Sequence, residues 1–549
     1  MEFPRSLACL GSVAQVDEAI LKTDRVLSDL YTHRNSLVPI NARLPKEILC
    51  EIFLHLAASV RGNGMGFPYQ WVRATHVCRY WRNISLQYPR LWAYIAPCIT
   101  EEWLDVLLSR SKQAPLTIVA PSNYYSLPCY TDAIFPHLHR IRHLQIRVST
   151  AQWKAFHAGL NDAPLLETLC LAGEALGPTQ DTTASLPRLR HLELRDILPH
   201  GLVQPTLVSL TLKRIHAVQP VKYWVSLLQG LPALQDLEID NGFRSPEGTY
   251  QGYVGRAYLP SLRSLTLLES SEGVMSAEFL QHIDCPTSLT MTFKGTASID
   301  DRARYDHIHR AISAKTYNNN LPHLSCCMDT GDLITFVEPA YIFQLWSTHE
   351  TMESMAYASE HLSSDPRVSV TWKGSCIRQA SHSFLQSFAL PHLRALCFDR
   401  PLAPDDDTWR HCLGLTALRE LRVRHRAAVE SLVRALCDSS APCFPLLEEL
   451  TISHLSWCSY HPGDPHRPST RPDLLQDLHR MLVWRKSLGL PLKRLDIDIG
   501  RNLEPQRMTR FAKDAEEQEL LEVFEWWADG SMTSDCTTCR LGSDMEEED

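Results

Sequence analysis

Cys536 and Cys539 form a Cys-x-x-Cys pair, the spacing at which two thiolates reach one zinc ion. A closed tetrahedral site needs two further ligands, and no second pair stands at a ligand spacing. Cys458, His461 and His466 make a second set able to converge on a metal, but they fall in "LSWCSYHPGDPHRPSTRPD", residues 455–473, whose prolines read as a surface loop. "GNGMG", residues 62–66, has the glycines of a phosphate cradle. It follows a helical pattern instead of a strand, however, and lacks the dinucleotide fingerprint, so it reads as a loop. There is no Gly-Lys-Ser/Thr phosphate loop and no Gly-x-Ser-x-Gly elbow. The 24 histidines are dispersed, and no pair of carboxylates can be placed for acid–base work. A metal-dependent enzyme would have only the Cys and His clusters to stand on. The expectation is therefore a binding protein with no catalytic residue, no cofactor and no metal.

Composition narrows the partners. A net charge of −9 over 549 residues lacks the excess of Lys and Arg that gives affinity for phosphate backbones, so no nucleic acid is expected. No run approaches the roughly 20 apolar residues that span a bilayer, and the opening "MEFPRSLACLGSV" is too short in apolar residues for a secretory signal. No membrane association is expected. Seventeen cysteines without framework spacing fit reduced thiols, some of them small core residues such as Cys78 and Cys397. The implied location is the cytoplasm, the nucleus or both.

Two kinds of element would have to present any binding surface. Residues 1–40 contain a helix in which Val13, Val16, Ile20, Leu27, Leu30 and Leu37 alternate at three and four, interrupted by Thr23 and Arg34. That face suits a coiled coil or, the preferred reading, docking within the chain. Next comes "RLPKEILCEIFLHL", residues 43–56. Pro45 suits a first helical turn, Glu47 lies near the positive helix end, and Ile48, Leu49, Ile52, Phe53 and Leu56 make a stripe wide enough for two neighbours. After a Gly-rich stretch, Val77, Cys78, Trp81 and Ile84 share a second helical face, closed by "PRLW", residues 89–92.

This order, Leu-Pro-x-Glu-Ile-Leu-x-x-Ile-Phe, loop, Val-Cys-Arg-x-Trp-Arg, Pro-Arg-Leu-Trp, resembles the F-box, a three-helix module that docks on the Skp adaptor of cullin ubiquitin ligases. The domain would occupy residues 41–97. The resemblance implies that Leu44, Pro45, Ile48, Leu49, Ile52, Val77, Cys78 and Trp81 form the adaptor face. One edge of the doubled stripe would then pack inside the module and the other would be covered by the adaptor. Trp92 is expected to meet water when the adaptor is absent.

Downstream, Leu-x-x-Leu-x-Leu returns ten times, from residues 141, 166, 189, 207, 234, 262, 393, 418, 447 and 492. Proline often stands two places ahead, as at Pro187, Pro205, Pro232, Pro260, Pro391 and Pro445. The alternation at the end of each copy is that of a short strand with one buried face, and stacking successive units hides that face. The pattern resembles leucine-rich repeats, as in fungal F-box proteins, although Ile197, Ile215 and Gly242 stand where Asn or Cys is usual. The expected fold is α/β: an all-α F-box followed by a leucine-rich-repeat-like solenoid with a parallel sheet over 98–530. Residues 286–390 are degenerate, with strand-like "SLTMTF", "DLITFVEP" and "RVSVTW", and either worn repeats or an insertion would fill them. "LLEVFEWWADG" reads as a closing strand, and 531–549 as a disordered acidic tail.

If the repeat leucines point inward, the residues between them point outward. His191, Glu193, Arg195, Lys213, Asp236, Glu238, Asp240, Glu420, Arg422, Arg424, Arg494, Asp496 and Asp498 would line the face offered to a protein substrate, acidic near Asp236 and basic near Arg422. The expected function is that of a substrate-recognition subunit of an SCF-type ligase, with a Skp adaptor and through it a cullin as partners. An F-box scaffold outside ubiquitin transfer is the alternative.

Overall fold

The computed structural model describes residues 12–62, 69–96, 100–119, 133–176, 184–215, 218–243, 255–269, 274–296, 302–317, 323–330, 340–348, 366–373, 377–388, 390–398, 406–412, 414–424, 426–438, 443–455, 460–461, 464–468, 474–499 and 505–527. They fall in two compact units, 1–206 and 207–549.

The first unit opens with helix α1 (Val13–Ser36), whose end is set by Ser12: its Oγ accepts from the Gln15 N–H at 3.3 Å. None of its residues is buried. Its apolar residues Val13, Val16, Ile20, Leu27 and Leu30 are exposed, so that face is not packed within the described residues. The short α2 (Pro39–Arg43) stops at Leu44, which is extended because the ring of Pro45 disfavours a helical residue before it. Pro45 then accepts the first bonds of α3 (Lys46–Gly62) at its carbonyl, from Ile48 and Leu49. A 3-10 turn (Gln70–His76), α4 (Arg79–Gln87) and a second 3-10 turn (Pro89–Trp92) complete the helical part.

The sheet begins at once. Strand β1 (Tyr94–Ile95) is followed by α5 (Glu101–Ser111), β2 (Leu116–Val119), β3 (Ile141–Val148), α6 (Thr150–Gly159), β4 (Thr168–Leu176) and β5 (His191–Ile197). All five strands are parallel and neighbours in chain order. Buried Arg140 closes the end of α5, donating to Ser111 Oγ at 3.0 Å, the Ala114 carbonyl at 3.3 Å and the Leu108 carbonyl at 3.4 Å.

In the second unit β6 (Ser209–Lys213), α7 (Val221–Leu228), β7 (Asp236–Asp240), β8 (Ala257–Tyr258), β9 (Ser264–Glu269), α8 (Val274–Gln281), β10 (Ile283–Asp284) and β11 (Thr290–Thr296) come first. Strands β6, β7, β9 and β11 run parallel and side by side, while β8 and β10 pair separately. The end of the unit is similar: β15 (Ala395–Phe398), β16 (Glu420–Arg424), β17 (Glu449–Leu455), β20 (Arg494–Ile499) and β21 (Val523–Trp527) are parallel neighbours. Helices cross between them, as parallel pairing requires. The one at Arg426–Asp438 buries Ala428, Val429, Leu432, Val433 and Leu436, a single apolar stripe.

The copies share one local mechanism. The leading Leu of each, Leu166, Leu189, Leu207, Leu234, Leu262, Leu393, Leu418, Leu447 and Leu492, is buried two residues before its strand. In Leu186-Pro187-Arg188-Leu189 the Leu189 N–H bonds the Leu186 carbonyl at 3.1 Å; Leu234, Leu262 and Leu393 repeat this onto Leu231, Leu259 and Leu390. Proline at the second place pre-sets φ for that turn. At the strand exits Asp196, Arg214 and Asn241 all take positive φ, so the turn-off is regular there although Ile197, Ile215 and Gly242 follow where Asn or Cys is usual.

Between the two parallel stretches, where either worn repeats or an insertion is expected, lie strands β12 (Ser325–Thr330), β13 (Ala340–Trp346) and β14 (Val368–Lys373). The order runs β11, β14, β13, β12, β15, and β13 is antiparallel to both neighbours. "SLTMTF" and "RVSVTW" supply β11 and β14, whereas "DLITFVEP" lies outside the described residues. Residues 455–473 hold more than a loop, since β18 (Tyr460–His461) pairs antiparallel with β19 (Asp464–Pro468). The closing strand is β21. The acidic tail lies outside the described residues.

Candidate protein-docking site

The wide stripe on α3 divides into two rows one residue apart. Leu49, Phe53 and Ala57 are buried, while Ile48, Ile52 and Leu56 are 46%, 44% and 41% exposed. Both rows advance by four residues, so each runs along one side of the helix. The inner row is held by Trp81 of α4, whose ring lies 5.2 Å from that of Phe53 at 59°. Trp81 Nε1 donates to Asn41 Oδ1 at 2.7 Å, and Asn41 Nδ2 donates to the Asn35 carbonyl at 2.8 Å. Asn41 thus ties the end of α1 to α4 through α2. Its amide can satisfy donor and acceptor at once, which is why Asn serves there.

The expected adaptor residues separate accordingly. Ile48, Ile52, Pro45 and Val77, the last 60% exposed, offer apolar surface, and Leu44, Cys78 and Trp81 are half-buried. Leu49 is a correction: it is a fully buried core residue, because its row faces the second helix. Trp92 is another. Expected in water, it is 1% exposed, packed 5.1 Å from Trp71 and 6.2 Å from Trp103, with the Arg110 guanidinium 4.4 Å over its ring. Its Nε1 donates to the Ser85 carbonyl at 2.7 Å. Tyr69 Oη accepts from the Ala96 N–H at 2.7 Å. The helical part is therefore built into the start of its unit's sheet, with Trp103 and Arg110 of α5 completing its core. Tyr80 adds a partly exposed aromatic edge on α4. Sequence reading missed Asn41 and this tryptophan cluster: four aromatics spread over 35 residues carry no periodic signal.

The strand residues proposed as a substrate face alternate as expected. Leu192, Leu194, Leu237, Ile239, Leu421, Val423, Leu495 and Ile497 are buried, and His191, Glu193, Arg195, Lys213, Asp236, Glu238, Asp240, Glu420, Arg422, Arg424, Arg494 and Asp496 are exposed or half-buried. The side chain of Asp498 lies outside the described residues. Register sets Ser209 and Ser264 beside Asp236, and Thr211 and Thr266 beside Glu238. Seven strand steps part the acidic β7 from the basic β16, about 34 Å at the usual spacing. The two are separate patches.

Some of these charges are already used. Arg494 Nε grips both carboxylate oxygens of Asp496 at 3.0 and 2.9 Å, and its Nη2 reaches Glu525 of β21 at 2.7 Å. Asp240 accepts from Asn241 Nδ2 at 2.7 Å and from the Arg214 N–H at 3.3 Å, closing the strand exit. In the middle of the sheet the alternation ends. All four residues of β15 are buried, and Cys327, Trp346, Ala395 and Cys397 form one cluster. Cys412 is also buried, and burial pushes its thiol up to about 12, so it is not a thiolate ligand. No group of three metal-ligating side chains occurs among the described residues. Cys458, Cys536 and Cys539, residues 63–66 and the side chains of His461 and His466 lie outside them. No described helix is long and apolar enough to cross a membrane.

Comparison with known proteins agrees with the helical part. Residues 41–97 match the family model described as F-box-like, so the chain carries an F-box-like domain there. No curated protein matches the chain. Among solved structures, one described as the crystal structure of the Rad7 and Elc1 complex in yeast is similar at 14% identity and a TM-score of 0.28, covering 83% of this chain and 97% of that one.

Proposed function

We propose that the chain is a substrate-receptor subunit of an SCF-type cullin ubiquitin ligase. A Skp adaptor docks on the F-box-like domain, the cullin follows through the adaptor, and a protein client is held by the strand faces. The observation that carries this reading is the pair of rows on α3: within a matched F-box-like domain, Leu49, Phe53 and Ala57 make the core while Ile48, Ile52 and Leu56 stay outside it. Such a row is what a partner helix or groove buries. The strand units are read as divergent leucine-rich repeats of the kind found in fungal F-box proteins, supported by the shared proline turn and the regular strand exits.

The chain performs no chemistry in this scheme. It raises the effective concentration of client lysines near the ubiquitin donor. The tryptophan cluster serves that role by fixing the F-box-like helices to their sheet. The setting is the cytoplasm or nucleus. Affinity purification under proteasome inhibition, followed by mass spectrometry, tests the proposal: a Skp adaptor, a cullin and a ubiquitinated client should be recovered together. Adaptor without cullin or ubiquitinated protein would instead favour a scaffold outside ubiquitin transfer.

A further inference from the structure

We propose that α1 is a dimerisation helix, and that it pairs antiparallel with α1 of a second copy of this chain. The helix is 24 residues long, and none of them is buried. Val13, Val16, Ile20, Leu27, Leu30 and Leu37 are all exposed, on unbroken three-four spacing once Thr23 and Arg34 are counted. That is the seam of a two-stranded coiled coil, in which each apolar residue enters a hole on a helix of the same period.

The link between α1 and the rest of its unit lies on another face. Asp29 meets Arg79 at 3.4 Å, Asn35 is held by Asn41, and Ser28 and Asn35 are half-buried. At 100° per residue, that face stands about a third of a turn from the seam. The helix is thus held to the module on one side and leaves its apolar seam open on the other.

Charge selects both the occupant and its direction. In a parallel pair Arg34 would share a core layer with its own copy. With the second helix reversed, Val13 lies opposite Leu37 of the other copy, Val16 opposite Arg34, Ile20 opposite Leu30, and Thr23 opposite Leu27. Arg34 then sits level with Asp17 of the other helix, on the same flank of the seam, and the two-fold axis makes the pair twice. Its long stem covers Val16 while the guanidinium reaches the carboxylate. The same axis brings the two Asp24 side chains toward each other at the solvent edge, which tempers affinity.

The test is the mass of the purified full chain, bound to its Skp adaptor, by light scattering and sedimentation over a concentration series. A dimer is expected, and Leu27→Asp with Leu30→Asp should make it monomeric while adaptor binding persists. Because two Asp residues also lower helix propensity, a charge exchange supplies the sharper reading. Arg34→Glu should weaken dimerisation at least about tenfold, Asp17→Arg with Arg34→Glu should restore most of it, and Asp24→Asn should tighten it. A monomer at all concentrations, a dimer indifferent to Leu27 and Leu30, or failure of the exchange to restore pairing would overturn the proposal. So would protection of α1 by the adaptor alone in hydrogen exchange. Adaptor binding is read separately in every variant, so a failed dimer and a failed adaptor assignment are distinguishable.

Discussion

Trp81 and Asn41 are joined by a 2.7 Å hydrogen bond from the indole Nε1 to the amide oxygen, and that bond decides what the conspicuous tryptophan of the F-box-like helices does. With its N–H satisfied and its ring against Phe53, Trp81 is a strut between α2, α3 and α4 before it is a docking residue.

Replacing Asn41 by Leu should therefore act through stability. The half-buried indole N–H loses its acceptor and the Asn35 carbonyl one of its donors, keeping the Val38 N–H at 3.3 Å, a cost of about 1 kcal/mol. Denaturant unfolding of the F-box-like part measures it, and Asn41→Asp should be milder, because the acceptor survives. Equal stability of the Leu variant and the parent would remove Asn41 from this role.

The two rows of α3 make opposite predictions. Leu49→Ala should destabilise by about 2–5 kcal/mol, as a core truncation does. Ile52→Ala on the outer row should stay within about 0.5 kcal/mol of the parent in the free chain. Thermal unfolding of the two variants side by side compares them directly, and similar losses would mean that both rows are core.

The sequence carries only half of this division. The doubled stripe was visible, and so was the expectation that one edge packs inside and one outside. Which edge was which was not, because periodicity fixes angles between residues of one helix but not the direction of its neighbours. Only the F-box resemblance places Leu49 on the adaptor face, and in the structure it lies in the core. The burial of Trp92 is not legible because its shielding comes from Trp71 in the first 3-10 turn and from Trp103 and Arg110 of α5. The strands were legible from Leu-x-x-Leu-x-Leu, since the period of two and the Pro turn are both local. The inverted order β11, β14, β13, β12, β15 was not: a strand that joins antiparallel has the same alternation as one that joins parallel.

Acid should weaken the second unit through two buried histidines. His309 accepts from Trp372 Nε1 at its Nε2, 3.2 Å away, so its Nδ1 carries the proton and donates to Ser383 Oγ at 2.9 Å. Burial pushes it down to about 3, and His323 down to about 4, with Arg367 adding to the second. The unfolded chain binds these protons near pH 6.5 and the folded chain does not, so stability falls as pH drops from about 6.5 toward about 4, by up to ~1.4 kcal/mol per pH unit for each histidine. Denaturation midpoints against pH should show that slope, and His309→Gln should halve it. An unchanged slope in the variant would locate the proton uptake elsewhere.

Arg485 is a buried cation that binds backbone. It donates to the carbonyls of Cys443 at 2.9 Å, Phe444 at 3.1 Å and Leu447 at 3.4 Å, tying its helix to the turn that enters β17. Burial lowers it to about 10, still well charged at neutral pH. Arg485→Met keeps the stem and removes all three donors, leaving the Phe444 carbonyl its bond from the Leu447 N–H at 3.1 Å, for a loss of about 2 kcal/mol. Hydrogen exchange should show β17 and β20 opening first. Uniform loss of protection across the unit would argue against a local role.

On the acidic strand, Asp236→Lys with Glu238→Lys should change the set of co-purifying clients and leave adaptor binding intact. Asp240 is better left alone, because it closes the strand exit. An identical client list from a folded variant would move recognition to another surface.

The most direct measurement is the affinity of the purified full chain for a purified Skp adaptor, by calorimetry, for the parent and for Ile48→Ala with Ile52→Ala. Two outer-row side chains, each a little under half exposed in the free chain, contribute on the order of 0.7–1.5 kcal/mol each when covered. The parent should bind and the variant should bind at least about tenfold more weakly, with unfolding midpoints unchanged. Undiminished affinity in a folded variant, or no binding by the parent, would contradict it.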